Sequence, residues 1–218
     1  MLAARHKEIL MILSVIIPYY NPDGDPQTDA LLKRAVISAR DNLDGIADYE
    51  IIVVNDGSQS DPEPAFDTPV IRYIKREHGM LGAARNTGIE NARGEYISFL
   101  DADDIWLPEK LLKQIKFMVD NACHFSYTEY VEMDESGNEI GVRITGPKRI
   151  SRRGMYSFCW PGCLTVMYDA EKVGLLQITD IKKNNDYAMW LKVCHKADCY
   201  LLSEPLAIYR RGRAGSIS

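Results

Sequence analysis

Hydrophobic and polar positions in the first half of the chain alternate between two kinds of stretch. Short runs rich in apolar residues predict four strands, at residues 13–17, 50–54, 70–74 and 95–100. The second run is continuous in apolar character, which indicates a strand covered on both faces. Between and after them the pattern predicts three helices, at residues 28–42, 82–92 and 108–120. Strands that alternate with helices predict an α/β fold with a mostly parallel central sheet flanked by helices.

The second half is less regular. Strand-like runs at residues 125–133 and 139–144 flank a turn sequence and predict a hairpin. Residues 149–161 are basic and aromatic without a clear period, so we expect a surface loop there. The remaining pattern predicts a strand at residues 164–168, a helix at 186–195 and two short strands at 199–202 and 206–209. No linker separates the halves, which predicts one compact unit.

Composition and charge narrow the class of protein. Hydrophobic residues make up 46% and charged residues 26%, as in globular domains. The net charge of -5 provides no overall attraction to nucleic acid or anionic lipid, and leaves only local basic patches, notably Arg210, Arg211 and Arg213. Five cysteines without C-x-x-C spacing favour free thiols over a disulfide scaffold or a structural zinc site.

The apolar run at residues 9–17 is similar in composition to a signal peptide. It is too short to span a bilayer, and Pro18 and Pro22 follow it where a small-residue cleavage site would be needed. Val15 and Ile17 favour a buried strand instead. We therefore expect a cytoplasmic protein.

Polar side chains follow the predicted strands, at the sheet edge where α/β proteins bind ligands. Asp56 follows the second strand, and Asp101, Asp103 and Asp104 follow the fourth. Such a carboxylate cluster is unfavourable unless solvated or neutralised, and Mg²⁺ and Mn²⁺ take oxygen ligands of this kind. Helix capping and ordinary turn chemistry are the alternative explanations. A glycine-containing loop at residues 78–86 could meet a diphosphate with its backbone N–H groups, but it lacks the dinucleotide-binding and P-loop spacings.

Five segments of the chain, in this order, resemble the glycosyltransferases of family 2, which have the GT-A fold. They are SVIIPYYN at 14–21, IIVVNDGS at 51–58, GAARN at 82–86 with Gly88, GEYI at 94–97 and FLDADD at 99–104. The resemblance implies a Rossmann-like, mostly parallel sheet with a smaller mixed sheet on the acceptor side. It also implies a single GT-A domain over residues 1–218, with a nucleotide-sugar-binding lobe at 11–105 and an acceptor-binding lobe at 106–218.

The resemblance implies a donor site for a nucleotide-diphosphate sugar, of which UDP-sugars are the commonest. Pro18 and Tyr20 would lie against the nucleobase, and Asp56 would bind the base and ribose. Arg85, in the family's Ala-Arg-Asn segment, would help to anchor the donor. Asp101 and Asp103 match the family's Asp-x-Asp element, and Asp103 would be the more direct ligand of Mn²⁺ or Mg²⁺ on the diphosphate.

The resemblance further implies inversion at the anomeric carbon, which requires a base on the opposite face of the sugar. Asp186 matches that base, although Asn185 replaces the usual Glu before it; a simple complement to the helix dipole is the alternative role. At the C-terminus the family's histidine is absent, and Arg213 would supply a phosphate-binding cation there or belong to a solvated tail. The chain ends where many relatives continue, which predicts a truncated or minimal enzyme.

The predicted acceptor site lies in the second half of the chain. Trp160 falls where such enzymes line the acceptor site and would stack on a sugar ring. A saccharide or lipid-linked saccharide in cell-surface polysaccharide synthesis is the expected acceptor, which would bring a cytoplasmic enzyme to the inner face of the membrane. A catalytically silent nucleotide-sugar-binding relative is the alternative, because of Asn185 and the short C-terminus.

Overall fold

The computed structural model describes residues 13–46, 48–62, 68–134, 136–178, 181 and 184–211. Arg213 and the residues before Leu13 therefore lie outside the described part. Within that part, ten strands join in one sheet.

The first four strands are parallel to one another: β1 (Leu13–Tyr19), β2 (Tyr49–Asn55), β3 (Ile71–Lys75) and β4 (Tyr96–Phe99). Three helices alternate with these strands in the chain. α1 (Pro26–Arg40) follows β1, α2 (Met80–Asn91) follows β3, and α3 (Lys110–Asp120) comes after β4. Alternate residues of β1 pack into different clusters, Val15 beside Leu32 of α1 and Ile16 beside Ile89 of α2. Both faces of the sheet are therefore covered, and the predicted α/β architecture is confirmed.

The rest of the sheet is mixed. Its strands are β5 (Ile105–Trp106), β6 (Phe125–Met133), β7 (Glu139–Ile144), β8 (Arg149–Ile150), β9 (Met167–Asp169) and β10 (Cys199–Arg210). β9 runs antiparallel to β4 and β6, whereas β6 and β10 are parallel. The helices here are α4 (Arg152–Ser157), α5 (Ala170–Val173) and α6 (Asn185–Cys194). The mixed strands continue the parallel ones within a single sheet of order β3-β2-β1-β4-β9-β6-β10-β5, with β7 added to β6 and β8 to β10. The division into two lobes stays a prediction.

Three local predictions were wrong. Residues 149–161 are not a loop, because they contain β8 and α4, whose first turn is capped by the Ser151 hydroxyl accepting from the Gly154 N–H. The two predicted terminal strands are one strand, β10, which shifts register on either side of Pro205, where a backbone donor is missing. Helix α1 begins earlier than predicted, because Asp25 caps it and Pro26 occupies its first turn.

The parallel register brings three strand ends to one edge of the sheet. The Asp56 N–H donates to the Tyr19 carbonyl at 2.8 Å, and the Leu100 N–H donates to the Ile16 carbonyl at 3.0 Å. The segments that follow β1, β2 and β4 therefore lie side by side. None of the helices in the described ranges is long and apolar enough to cross a membrane.

Candidate active site

A cleft of about 620 Å³ opens at this edge of the sheet. It is lined by every predicted donor, metal and base residue: Pro18, Tyr20, Asp56, Arg85, Asp101, Asp103 and Asp186. Trp160 is not among the lining residues, although Gly162 and Cys163 are. The structure thus gathers the predicted donor and base residues and leaves the predicted acceptor contact outside.

Asp56 is a cleft carboxylate held by several neighbours. Its side chain is buried and forms an ion pair with Arg76. The backbone N–H of Gly79 donates to both carboxylate oxygens at 3.1 and 3.2 Å, and Nδ1 of His78 lies 3.0 Å from Oδ2. Arg76 was not predicted as a site residue, although its position directly after β3, at the same sheet edge, was a usable signal.

An aromatic pair stands at the mouth of the cleft. The rings of Tyr20 and His78 stack with centroids 4.1 Å apart and planes 21° from parallel, and Tyr20 remains 42% exposed. Pro18, near the end of β1, is buried and lies two residues before Tyr20 in the chain. The exposed ring pair therefore offers a flat face to a planar ligand.

Arg85 connects two distant parts of the site. Its guanidinium is buried and donates to Asp101 at 2.6 Å and to Asn185 at 2.9 Å. Burial alone would lower the pKa of Arg85, but the charge of Asp101, helped by that of Asp186, raises it above its ordinary value. Arg85 therefore stays charged and links the loop after β4 to the start of α6. Its role as a donor anchor stays a prediction.

The acidic cluster divides into two kinds of carboxyl group. Asp104 is buried and accepts the backbone N–H of Arg210 at 2.9 Å. Burial raises its pKa well above the ordinary range, and the neighbouring Asp103 and Asp101 raise it further. Asp101 and Asp103 are half-buried and line the cleft. Asp104 thus ties β10 to this loop, whereas the other two carboxylates face the space where a ligand would sit.

The carboxylates of Asp101 and Asp103 fit a hard divalent cation that is also bound by a substrate. In the part of the chain that the structure describes, no three His, Cys, Asp or Glu side chains converge as a metal site. Mg²⁺ is usually held by one or two carboxylates together with substrate phosphates. Asp103 and Asp101 provide that number on the cleft wall, with Arg85 already balancing part of the charge of Asp101.

Asp186 lies in the first turn of α6 and lines the cleft, as Asp101 and Asp103 do. It is half-buried, and its Oδ1 accepts the backbone N–H of Tyr187 at 2.9 Å. Asn185, beside it, is buried with its oxygen on Arg85. An amide at position 185 therefore keeps the hydrogen bond to Arg85 without adding a second negative charge.

Comparison with known proteins decides the family. The model of glycosyl transferase family 2 matches residues 14–168. The chain belongs to this family. Putative teichuronic acid biosynthesis glycosyltransferase TuaG of Bacillus subtilis is 32% identical over 207 residues, covering 91% of this chain and 79% of that protein. UDP-Glc:alpha-D-GlcNAc-diphosphoundecaprenol beta-1,3-glucosyltransferase WfaP of Escherichia coli is 34% identical, covering 95% of this chain and 80% of that protein.

The family fold is also found in solved structures. S. aureus TarS 1-349, crystallised in complex with UDP-GlcNAc, superposes with a TM-score of 0.74 at 19% identity. The superposition covers 95% of this family 2 chain but 60% of the TarS chain. At this identity the likeness is one of fold, and it confirms the predicted fold class. The predicted membership of family 2 is confirmed as well.

Proposed function

We propose that this chain transfers a sugar from a UDP-sugar to a hydroxyl group of a lipid-linked saccharide, with inversion at the anomeric carbon. The observation that carries the proposal is the meeting of Asp56, the Asp101–Asp103 pair and Asp186 in one cleft. The relatives support it, because WfaP is named for a UDP-Glc donor and a diphosphoundecaprenol acceptor, and TuaG for teichuronic acid biosynthesis.

The donor's nucleoside would occupy the end of the cleft at β1 and β2. The exposed face of the Tyr20–His78 pair suits stacking on a nucleobase, as aromatic faces do. Asp56 is fixed by Arg76 and by the Gly79 N–H, so its carboxylate can accept from base and ribose donors without reorganising. This arrangement would bind a nucleotide while leaving the sugar nearer the acidic cluster.

The donor's diphosphate would then lie beside Asp101 and Asp103. These two residues would hold Mn²⁺ or Mg²⁺, which when bound would neutralise charge developing on the nucleoside diphosphate as it leaves. Arg85 keeps Asp101 in place through a hydrogen bond of 2.6 Å. The carboxylates therefore need little rearrangement on donor binding.

Asp186 would act as the base. It would take the proton from the acceptor hydroxyl as that oxygen attacks the anomeric carbon, on the face opposite the leaving diphosphate. The bond to the acceptor oxygen forms as the bond to the diphosphate oxygen breaks, so the configuration inverts. Asn185, held by Arg85, positions the turn that carries Asp186.

Calorimetric titration with UDP, GDP, CDP and dTDP, each with and without Mn²⁺, tests the donor site. We expect Mn²⁺-dependent binding of UDP. No binding of any nucleotide by the folded protein would overturn the proposal. A turnover assay with UDP-Glc and a polyprenyl-diphosphate-linked GlcNAc acceptor then tests transfer, and binding without turnover would favour a silent nucleotide-sugar-binding protein.

A further inference from the structure

Exposed aromatic side chains concentrate in one segment outside the cleft. Tyr156 is 55% exposed, Phe158 57% and Trp160 40%. In the described part of the chain, Tyr20 at the cleft mouth is the one other Phe, Tyr or Trp side chain with comparable exposure. Large apolar rings are usually buried. Three exposed rings within five residues therefore indicate a surface that binds a partner.

The same segment is basic in an acidic protein. Residues 145–168 contain four Lys and Arg and no Asp or Glu, in a chain whose net charge is -5. Arg149 is paired with Asp198 at 2.8 Å. Lys148, Arg152 and Arg153 are exposed. The segment is therefore a local positive region against the sign of the whole chain.

These residues form two groups that follow each other in the chain. On α4, Tyr156 follows Arg152 and Arg153 at the spacings that place side chains on one helix face, while Met155 points into the core. The rings of Phe158 and Trp160 lie 4.7 Å apart. Trp160 also covers Gly146, where a Cβ would come within 3.2 Å of its ring, and Gly146 lies two residues before Lys148 in the chain.

We propose that this aromatic–basic surface (Lys148, Arg152, Arg153, Tyr156, Phe158 and Trp160) docks on an anionic phospholipid bilayer. Aromatic rings favour the level of the lipid headgroups, and basic residues are attracted to anionic lipid. The surface adjoins the cleft, because Gly162 and Cys163 line the cleft just after Trp160 in the chain. Docking there would turn this side of the cleft toward the membrane, where a lipid-linked acceptor lies. The inference therefore rests on the proposed function.

Co-sedimentation with vesicles tests the proposal without using catalysis. We expect binding to vesicles of phosphatidylcholine and phosphatidylglycerol in equal parts, and little binding to phosphatidylcholine alone. Because Trp106 and Trp190 are buried, a blue shift of tryptophan emission on binding would report Trp160 entering the lipid. Equal sedimentation with both vesicle types, or an unshifted emission, would overturn the proposal.

Charge reversal locates the surface. The double variant Arg152→Glu/Arg153→Glu should bind the anionic vesicles at least about thirtyfold more weakly, since the loss of each basic residue near such a surface costs about fivefold and the added carboxylates are repelled. Lys33→Glu/Arg34→Glu reverses a similar exposed pair on α1 and should bind as the wild type does. Equal weakening in both variants would refute a local surface.

A second pair of variants tests the apolar contribution. Phe158→Ser should weaken vesicle binding, whereas Ile37→Ser, at a 46% exposed residue of α1, should not. Emission of Trp160 that responds to a soluble saccharide acceptor and not to vesicles would overturn the proposal in favour of an acceptor platform. UDP titration of the same samples reports the donor site separately. A wild-type protein that binds UDP but not the anionic vesicles would overturn the docking surface and leave the proposed donor site standing.

Discussion

Replacing Arg85 by Met tests whether the buried guanidinium holds the site together. The substitution keeps an unbranched side chain in α2 but removes the bonds to Asp101 and Asn185. Removing one partner of a buried ion pair costs about 3–5 kcal/mol. The Asp101 side chain is 28% exposed and regains some water, which favours the lower end, about 3 kcal/mol. The orphaned Asn185 oxygen adds about 1 kcal/mol, for roughly 4 kcal/mol in total.

Urea unfolding of the wild type and of Arg85→Met measures this difference as a shift of the midpoint at constant slope. Arg40→Met is the matched control, because the Arg40–Asp41 pair has both side chains at least half exposed and is worth less than about 1 kcal/mol. A loss below about 1 kcal/mol for Arg85→Met, the size typical of exposed pairs, would refute the reasoning. In the Asp101→Asn background the same substitution should cost much less, because the two residues are coupled.

Four further outcomes follow from the described contacts. Gly88→Ala should destabilise the protein by about 1–3 kcal/mol in urea unfolding, because the added methyl group would meet the Ile16 side chain of β1. Lys110→Met should be more stable than the wild type near neutral pH, because burial lowers the pKa of this amine well below its ordinary value. The unfolded chain then binds one more proton, so this advantage should shrink as the pH rises toward about 10.4, where free lysine titrates. Asp103→Asn should remove the Mn²⁺-dependent part of nucleotide binding measured by calorimetry. Asp186→Asn should keep donor binding and lower kcat by about 10²–10⁴-fold in the turnover assay.

Each of these outcomes has a contrary result. A Gly88→Ala protein as stable as the wild type would mean that α2 does not lie tightly on β1. An advantage of Lys110→Met that is independent of pH would show that the amine is not held neutral. Unchanged Mn²⁺-dependent affinity in Asp103→Asn, or equal loss in the exposed control Asp44→Asn, would remove the carboxylate from the metal site. Normal turnover of Asp186→Asn would remove that residue from the mechanism.

The hydrophobic pattern of the sequence was sufficient to predict those elements that are defined by residues close together in the chain. The apolar runs of β1, β2 and β4 and the spacing in α1 depend on neighbours within a few residues, so these elements were predicted within a few positions. The parallel arrangement that they imply places their carboxyl ends at one edge. Asp56 and the residues after β4 could therefore be assigned to one site from sequence.

Local pattern failed where an element is short or held by partners elsewhere. Helix α4 has six residues, too few for a helical period to show, and it depends on the Ser151 cap and on burial of Met155. Strand β10 looks interrupted at Pro205 in the sequence. Pairing with β6 on both sides of the proline keeps it continuous, and no property of residues 199–210 alone reveals that partner.

The sequence by itself determined the fold class, the family and four carboxylates that line the cleft, although it did not point to Glu132 beside them. Only the tertiary structure decided how those carboxylates are held. The contact of Arg85 with Asn185 joins residues 100 positions apart, and Arg76 reaches Asp56 from the end of a neighbouring strand. Periodicity records how a residue relates to its own helix or strand, whereas such contacts depend on how separate elements pack together.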